Sequence, residues 1–239
     1  MNMSCVVPAR NEEGHLDQVI SQILSIECIT DIIIVEGGSH DNTYLEAKKI
    51  ALVNPNRIKV IKQTGKGKFN AVLLGAKYAS EDFLLIWDAD GTVPINSTIK
   101  VIENTLSTGN VTMGNRLSGS IEPGAMQFLN LIGNWFFAVI WSPVLRGKSL
   151  DLLCGTKIIP SKIFLAIPKW LINIDPYGDF ALIATARAQG LTIESVPVDY
   201  LKRQYGSTNI RRWSGGFRLL ITSFSIYIWL FYHSVTKNE

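Results

Sequence analysis

Phe83-Leu84-Leu85-Ile86-Trp87-Asp88-Ala89-Asp90-Gly91 is the stretch on which the fold turns. An uncharged apolar run ends abruptly in two carboxylates one residue apart. Such a short run predicts a strand buried on both faces, as in a parallel sheet. The carboxylates then stand at the strand's carboxyl end, where open α/β sheets hold their ligands. Alternation along a strand turns Asp88 and Asp90 to the same side. Two like charges that close repel unless a cation or a shared proton neutralises them, and a hard divalent ion with oxygen ligands is the natural partner. Taken alone, the pair has a second reading, as caps of a helix opening near Pro94.

Working outward, strand and helix patterns alternate through the first half. Residues 4–7, 31–35, 58–61 and 111–114 read as strands. Residues 12–24, 43–52, 69–78 and 95–106 repeat apolar side chains at helical spacing, with Asp41 or Asn42 as N-cap of the second. Strands separated by helices of this length imply βαβ crossovers and a parallel, doubly wound sheet. In the second half, residues 124–145 are apolar around most of a helix that Pro143 breaks. Residues 150–160 suit a strand or two around Gly155, 177–189 a helix ended by Gly190, and 191–198 a strand.

Residues 217–235 are strongly apolar, but the uncharged core is shorter than the roughly 20 residues a spanning helix needs. Ser223, Ser225, Tyr232 and His233 dilute it further. The expectation is an interfacial helix in peripheral contact with a membrane; the alternatives are a helix packed in the domain or in a homodimer. The division expected is a catalytic domain over 1–212 and an apolar C-terminal helix over 213–239.

The 239 residues, 47% of them hydrophobic, suffice for one sizeable core. A net charge of +3 is too mild to imply nucleic acid. Lys202, Arg203, Arg211, Arg212 and Arg218 nevertheless crowd one stretch, which fits a phosphate-bearing ligand, an anionic membrane surface, or a solvated loop. Cys5, Cys28 and Cys154 follow neither a metal nor a disulfide spacing and read as reduced thiols of a cytoplasmic protein. The N-terminus has no basic flank and too short an apolar run for a signal peptide.

Two more polar loops follow strands. Pro8-Ala9-Arg10-Asn11-Glu12-Glu13 follows the first, and Glu36-Gly37-Gly38-Ser39-His40-Asp41-Asn42-Thr43 the second. Capping explains much of either loop alone. With the D-x-D they put three polar loops at one sheet edge, a crevice whose chemistry suits a nucleotide: a carboxylate for base or ribose and a metal for diphosphate.

The chain resembles glycosyltransferase family 2, with the GT-A fold, and within it the branch of polyprenyl-phosphate (dolichyl-phosphate) sugar synthases. The resemblance rests on V-V-P-A-R-N-E-E at 6–13, V-E-G-G-S-H-D-N-T at 35–43, G-K-G-K-F-N-A at 65–71 and D-A-D at 88–90. It continues with G-N-R at 114–116, L-C-G-T-K at 153–157, G-D-F at 178–180 and R-Q-Y-G-S-T-N-I at 203–210. What it implies is a mostly parallel, Rossmann-like sheet flanked by helices. Pro8, Arg10 and Glu12 would line the nucleotide pocket, with Glu36 on base or ribose. Lys66 and Lys68 would lie near the diphosphate, or be plain surface lysines. Asp88 would face ribose and metal, and Asp90 would ligate Mg²⁺ or Mn²⁺. Arg116 and Arg203 would hold phosphate, for which a guanidinium fork is suited. The chain departs from the family pattern at Glu36-Gly37, where many members carry Asp-Asp, at Thr92, where the synthases often carry Gln, and at Gln127, where a basic residue is expected.

The implied reaction is inverting displacement at the anomeric carbon of a UDP- or GDP-sugar. A lipid-phosphate acceptor needs no base; a saccharide hydroxyl does, and Asp179 is the candidate, its alternative role being an N-cap. The site then belongs at the cytoplasmic face of a membrane. A catalytically silent sugar-nucleotide-binding module is the rival class. A nucleotidyltransferase or dinucleotide oxidoreductase would show a glycine-rich loop after the first strand, where this chain has Pro-Ala-Arg-Asn-Glu-Glu.

Overall fold

A computed structural model describes residues 1–146, 150–175 and 177–203, and a helix over 212–235 with side chains from 215 to 232. In chain order the elements are β1 (Met3–Ala9), α1 (Leu16–Leu24), β2 (Ile29–Glu36), α2 (Thr43–Val53), β3 (Ile58–Lys62) and α3 (Lys68–Ala76). Then come β4 (Phe83–Ile86), α4 (Ile95–Thr108), β5 (Val111–Asn115) and α5 (Phe128–Trp141). The rest are β6 (Lys157–Pro160), α6 (Lys162–Ala166), α7 (Lys169–Ile174), α8 (Asp179–Ala188), β7 (Ile193–Pro197) and α9 (Arg212–Val235).

The strands form one sheet in the order β3-β2-β1-β4-β6-β5-β7. All neighbours are parallel except β6, which runs antiparallel to both β4 and β5. The sheet is therefore mostly parallel with one reversed strand inside it, rather than wholly parallel. Residues 150–160 supply that single strand.

Period-two alternation divides the strands between two cores. Val6, Ile33, Val35, Leu84 and Ile86 face a cluster with Phe69 of α3, Trp141 of α5, Phe180 of α8 and Ile226 of α9. Cys5, Val7, Ile32, Ile34, Leu85 and Trp87 face the other, with Leu16 and Ile20 of α1, Ala47 of α2 and Val101 of α4. Each fully buried Ile or Leu contributes about 1.5–3 kcal/mol. A strand covered on both faces holds a charge only where a partner is built for it, as for Lys157 of β6, and the first charge along β4 is Asp88, just past the strand.

α1 starts at Leu16, four residues later than its acidic lead-in suggests. α9 lies along the domain against α5, α7 and α8, burying Leu219, Thr222, Ser223 and Ile226. The short helices α6 and α7 carry too few turns to show a period in the sequence.

Candidate active site

The loops after β1 and β2 are joined side chain to backbone. The N–H of Asn11 donates to Ser39 Oγ (3.0 Å), that of Glu12 to Thr43 Oγ1 (2.8 Å), and that of Gly14 to Glu46 Oε2 (2.8 Å). In return His40 N–H donates to Asn11 Oδ1 (2.9 Å) and Asn42 N–H to Glu13 Oε2 (3.0 Å). Gly14 adopts φ +80°, outside the right-handed helical region, and α1 starts only after it. Asn42 holds the N-cap position of α2 with no side-chain cap bond, and Asp41 before it accepts from Thr43 N–H at 3.0 Å. The buried Glu36 carboxylate accepts from Ser39 N–H at 2.5 Å. Pro8 is half-buried at the end of β1 and Arg10 is exposed beside it.

At the third loop the alternation of β4 continues past the strand. Trp87 and Ala89 are buried, while Asp88 and Asp90 turn to the opposite, open side. Neither caps α4: Pro94 holds that position, with no side-chain cap. Asp88 pairs with Lys68 Nζ at 2.5 Å. The backbone of Gly155 presses on this pair so closely that a Cβ there would overlap Asp88 Oδ2. Burial disfavours the Asp88 charge, yet Lys68, with Lys157 and Arg116 behind it, holds its pKa below the usual carboxylate value. Asp90 accepts from Thr92 twice, from its N–H at 3.1 Å and its hydroxyl at 2.8 Å, across a turn in which Gly91 adopts φ +64°. Buried His15 underlies that turn, its Nε2 being 2.5 Å from where a Cβ on Gly91 would stand.

Arg203 closes the open side. It bonds Glu12 Oε1 and lies 3.6 Å from Asp90 Oδ2. Burial raises the Glu12 pKa to about 7; Arg203 opposes that, while Asp90 and Asp88 add to it.

The model of the family described as glycosyl transferase family 2 matches residues 4–160. The chain belongs to glycosyl transferase family 2. Among curated relatives, dolichol-phosphate mannosyltransferase of Pyrococcus furiosus is 31% identical over 127 residues, 51% of this chain and 36% of that protein. Low-salt glycan biosynthesis hexosyltransferase Agl6 of Haloferax volcanii is 26% identical over 230 residues, 90% of this chain and 51% of that protein. The matched segments thus span about a third to a half of these relatives. Among solved structures, glucosyl-3-phosphoglycerate synthase of Mycobacterium tuberculosis, in complex with Mn²⁺, UDP-glucose and phosphoglyceric acid, aligns with a TM-score of 0.67. It is 17% identical and covers 94% of this chain and 79% of that one, so the likeness is one of fold.

In this family-2 chain several candidate residues sit differently from expectation. Lys66 is exposed on its loop, and Lys68 is the lysine that reaches the acidic cluster. Arg116 is not a free clamp: its Nε and one terminal nitrogen fork onto buried Asp151 at 2.6 and 2.9 Å, and its guanidinium lies 5.0 Å from the Tyr200 ring centroid. Asp179 does not cap α8. Asp175 does so, accepting from Gly178 N–H (2.9 Å) and Ala181 N–H (2.8 Å). Asp179 instead accepts from wholly buried Lys157 at 2.6 Å, and Lys157 also donates to the Cys154 carbonyl. Gln127 is exposed at the start of α5. Residues 204–211, including Arg211 and the rest of the last motif, lie outside the described residues, as does the Arg212 side chain.

Asp151, Asp175 and His15 stand outside the motifs, and Lys157 enters only as the last residue of L-C-G-T-K. A lysine inside Lys157-Ile158-Ile159-Pro160 and an aspartate inside Leu150-Asp151-Leu152-Leu153 are charges within apolar runs, and that signal marks buried pairs.

The residues fit a divalent cation that completes its shell from a bound diphosphate. Among the described residues no group of three His, Cys, Asp or Glu side chains gathers as a protein-only cage. Mg²⁺-type sites ordinarily use one or two carboxylates with phosphate oxygens and water. The Arg203 guanidinium stands in for a cation at Asp90, and Glu12 Oε2 is buried with no hydrogen-bond partner among the described residues. Asp90 is the residue that would hold the ion. Asp88, neutralised by Lys68, is the weaker candidate for that place.

Proposed function

We propose that the chain transfers a sugar, with inversion, from a UDP- or GDP-sugar to a polyprenyl-phosphate-type lipid acceptor at the cytoplasmic face of a membrane. The observation that carries the acceptor choice is the buried Lys157 ammonium on Asp179. The Asp179 carboxylate that a base would use is already occupied by that ammonium at 2.6 Å. A phosphate arrives already anionic and needs no base. The relative named for dolichol phosphate supports the same class, and related folds crystallised with UDP and Mn²⁺ or Mg²⁺ support a metal-assisted nucleotide donor.

In this reading Pro8, Arg10, Glu12 and Glu36 line the nucleotide pocket, and Lys68 with Asp88 borders ribose and diphosphate. Arg203 exchanges Asp90 for phosphate. Asp151 fixes Arg116 as the cationic floor of the acceptor side. A phosphate oxygen attacks the anomeric carbon; the bond to the diphosphate breaks, its electron pair leaves with the nucleoside diphosphate, and no proton moves. A bound Mg²⁺ or Mn²⁺ supplies Lewis-acid stabilisation of the leaving diphosphate. The chain's own contribution is alignment and fixed positive charge.

The test is a thermal-shift screen of UDP- and GDP-sugars with and without Mn²⁺, followed by transfer of labelled sugar to a short-chain polyprenyl phosphate in detergent. Metal-dependent stabilisation by one donor and label in the lipid phase are expected. No stabilisation by any donor defeats the donor site. Transfer only to a saccharide hydroxyl defeats the acceptor choice, and its abolition by Asp179→Asn in protein that still binds donor makes Asp179 the base. Full activity of Asp90→Ala defeats the metal assignment.

A further inference from the structure

Two apolar stripes lie on adjacent helices at the surface. α5 buries Asn134, Phe137, Ala138 and Trp141. It turns Phe128, Ile132, Trp135 and Val139 outward, Phe128 being 73% and Trp135 62% exposed. α9 turns Phe217, Leu220, Ile221, Phe224, Ile228 and Phe231 outward, Phe224 being 69% exposed. Both stripes step by three and four residues, so each is one face of a helix. Folded monomers rarely leave an apolar surface of that extent to water.

α9 is also fastened along its length. The Thr222 hydroxyl donates to the Ile174 carbonyl at 3.1 Å, and the Trp141 indole N–H to Ser223 Oγ at 3.0 Å. The Tyr227 hydroxyl donates to the Ile140 carbonyl, and Trp229 meets Trp170 of α7 edge to face. By length and composition 215–232 is apolar enough to cross a bilayer. Crossing would require these bonds to break and the face now on the core to meet lipid. A helix fixed sideways to its domain can bring its outer face to lipid only by lying in the membrane surface.

Charge selects the occupant. None of α5, α6, α7 and α9 contains an aspartate or glutamate. Arg146, Lys162, Lys169 and Arg218 stand exposed on or beside them. A second copy seated on this face would set cations against cations. An anionic lipid surface meets them with the opposite sign. The face also adjoins the cleft: Gly215, in the first turns of α9, sits against the Tyr177 hydroxyl, two residues from Asp179.

We infer that α5 and α9 together form a monotopic docking face for an anionic bilayer, with both stripes among the acyl chains and Arg146, Lys169 and Arg218 at the headgroups. The inference deepens the lipid-acceptor reading and rests on it for its purpose; its test does not.

The experiment is co-sedimentation of the full chain with vesicles of phosphatidylcholine, alone or mixed with phosphatidylglycerol, all free of polyprenyl phosphate. Binding that is stronger to the mixed vesicles is expected. Phe128→Glu and Phe224→Glu, at exposed positions, should each lower partitioning by about tenfold or more with the melting temperature unchanged. In the wild type, lipids brominated on their acyl chains should quench tryptophan emission, and Trp135→Phe should remove part of that quenching. A chain that stays in the supernatant with both vesicle types overturns the inference. So does a dimer in ultracentrifugation that either glutamate variant dissolves, or lipid binding without quenching that depends on Trp135. Docking without sugar transfer to lipid phosphate in detergent supports the face and defeats the acceptor reading alone.

Discussion

The Lys157 ammonium, wholly buried in β6, sits 2.6 Å from the Asp179 carboxylate at the start of α8. The pair ties a strand of the sheet to a helix of the larger core. Removing one partner leaves an uncompensated buried charge. Asp179→Asn should therefore lower the unfolding free energy by about 3–5 kcal/mol, and Lys157→Met added to it should restore most of the loss. Denaturant unfolding of the two single variants and the double variant measures this. Simple additivity of the two losses would mean that the side chains act independently.

Glu12 gives the fold a pH dependence of definite sign. Its folded-state pKa of about 7 lies above the ordinary 4.5, with burial the main cause. The folded protein holds this proton more tightly than the unfolded chain. The contribution is full below the unfolded value and is lost as pH rises through the folded one. It amounts to about 3 kcal/mol over that window. Glu12→Gln removes the titration, so the difference in unfolding free energy between wild type and variant should change across this range and be flat above it. A difference that does not vary with pH would place the Glu12 proton elsewhere.

Gly155 is a test of close packing at the acidic cluster. A methyl group there overlaps Asp88 Oδ2 and comes within 2.7 Å of Lys68 Nζ. Gly155→Ala should part the Asp88–Lys68 pair and weaken donor binding by about tenfold, which is roughly 1.4 kcal/mol. Isothermal titration with the donor identified by thermal shift reads this directly. Unaltered affinity would separate the pair from the donor site.

Removing the metal should act through Asp90. Chelation by EDTA should abolish donor-induced stabilisation in the wild type and have no further effect in Asp90→Asn. Asp88→Asn should keep a reduced metal response, because Lys68 already neutralises Asp88. Equal loss in both variants would make the two carboxylates joint ligands.

Much of this was readable from local pattern. The buried strand before Asp88-Ala89-Asp90 is legible because an uncharged apolar run of that length suits a strand covered on both sides. The outward turn of both carboxylates followed from alternation. The direction of β6 did not, since Lys157-Ile158-Ile159-Pro160 has the same apolar pattern whichever way it runs. Partners distant in sequence were equally invisible. Arg203 meets Glu12 across 191 positions, and Arg116 meets Asp151 across 35. Asp179 looked like a cap because it opens a helix, but Asp175 reaches the same amides from outside the turn.

The cross-bonded loops after β1 and β2 carry a consequence for how such a chain can diverge. Asn11, Glu12 and Gly14 each give a backbone amide to a side chain of the partner segment, and His40 and Asn42 give theirs back. Neither loop can gain or lose a residue without orphaning donors in the other. Drift at this rim is therefore paired: a substitution at Ser39 or Thr43 demands an answer near Asn11 or Glu12. Under the proposed donor reading, a change of nucleotide preference would come most readily from a single exchange at exposed Arg10, whereas Glu36, which accepts from Ser39 N–H, belongs to the shared scaffold.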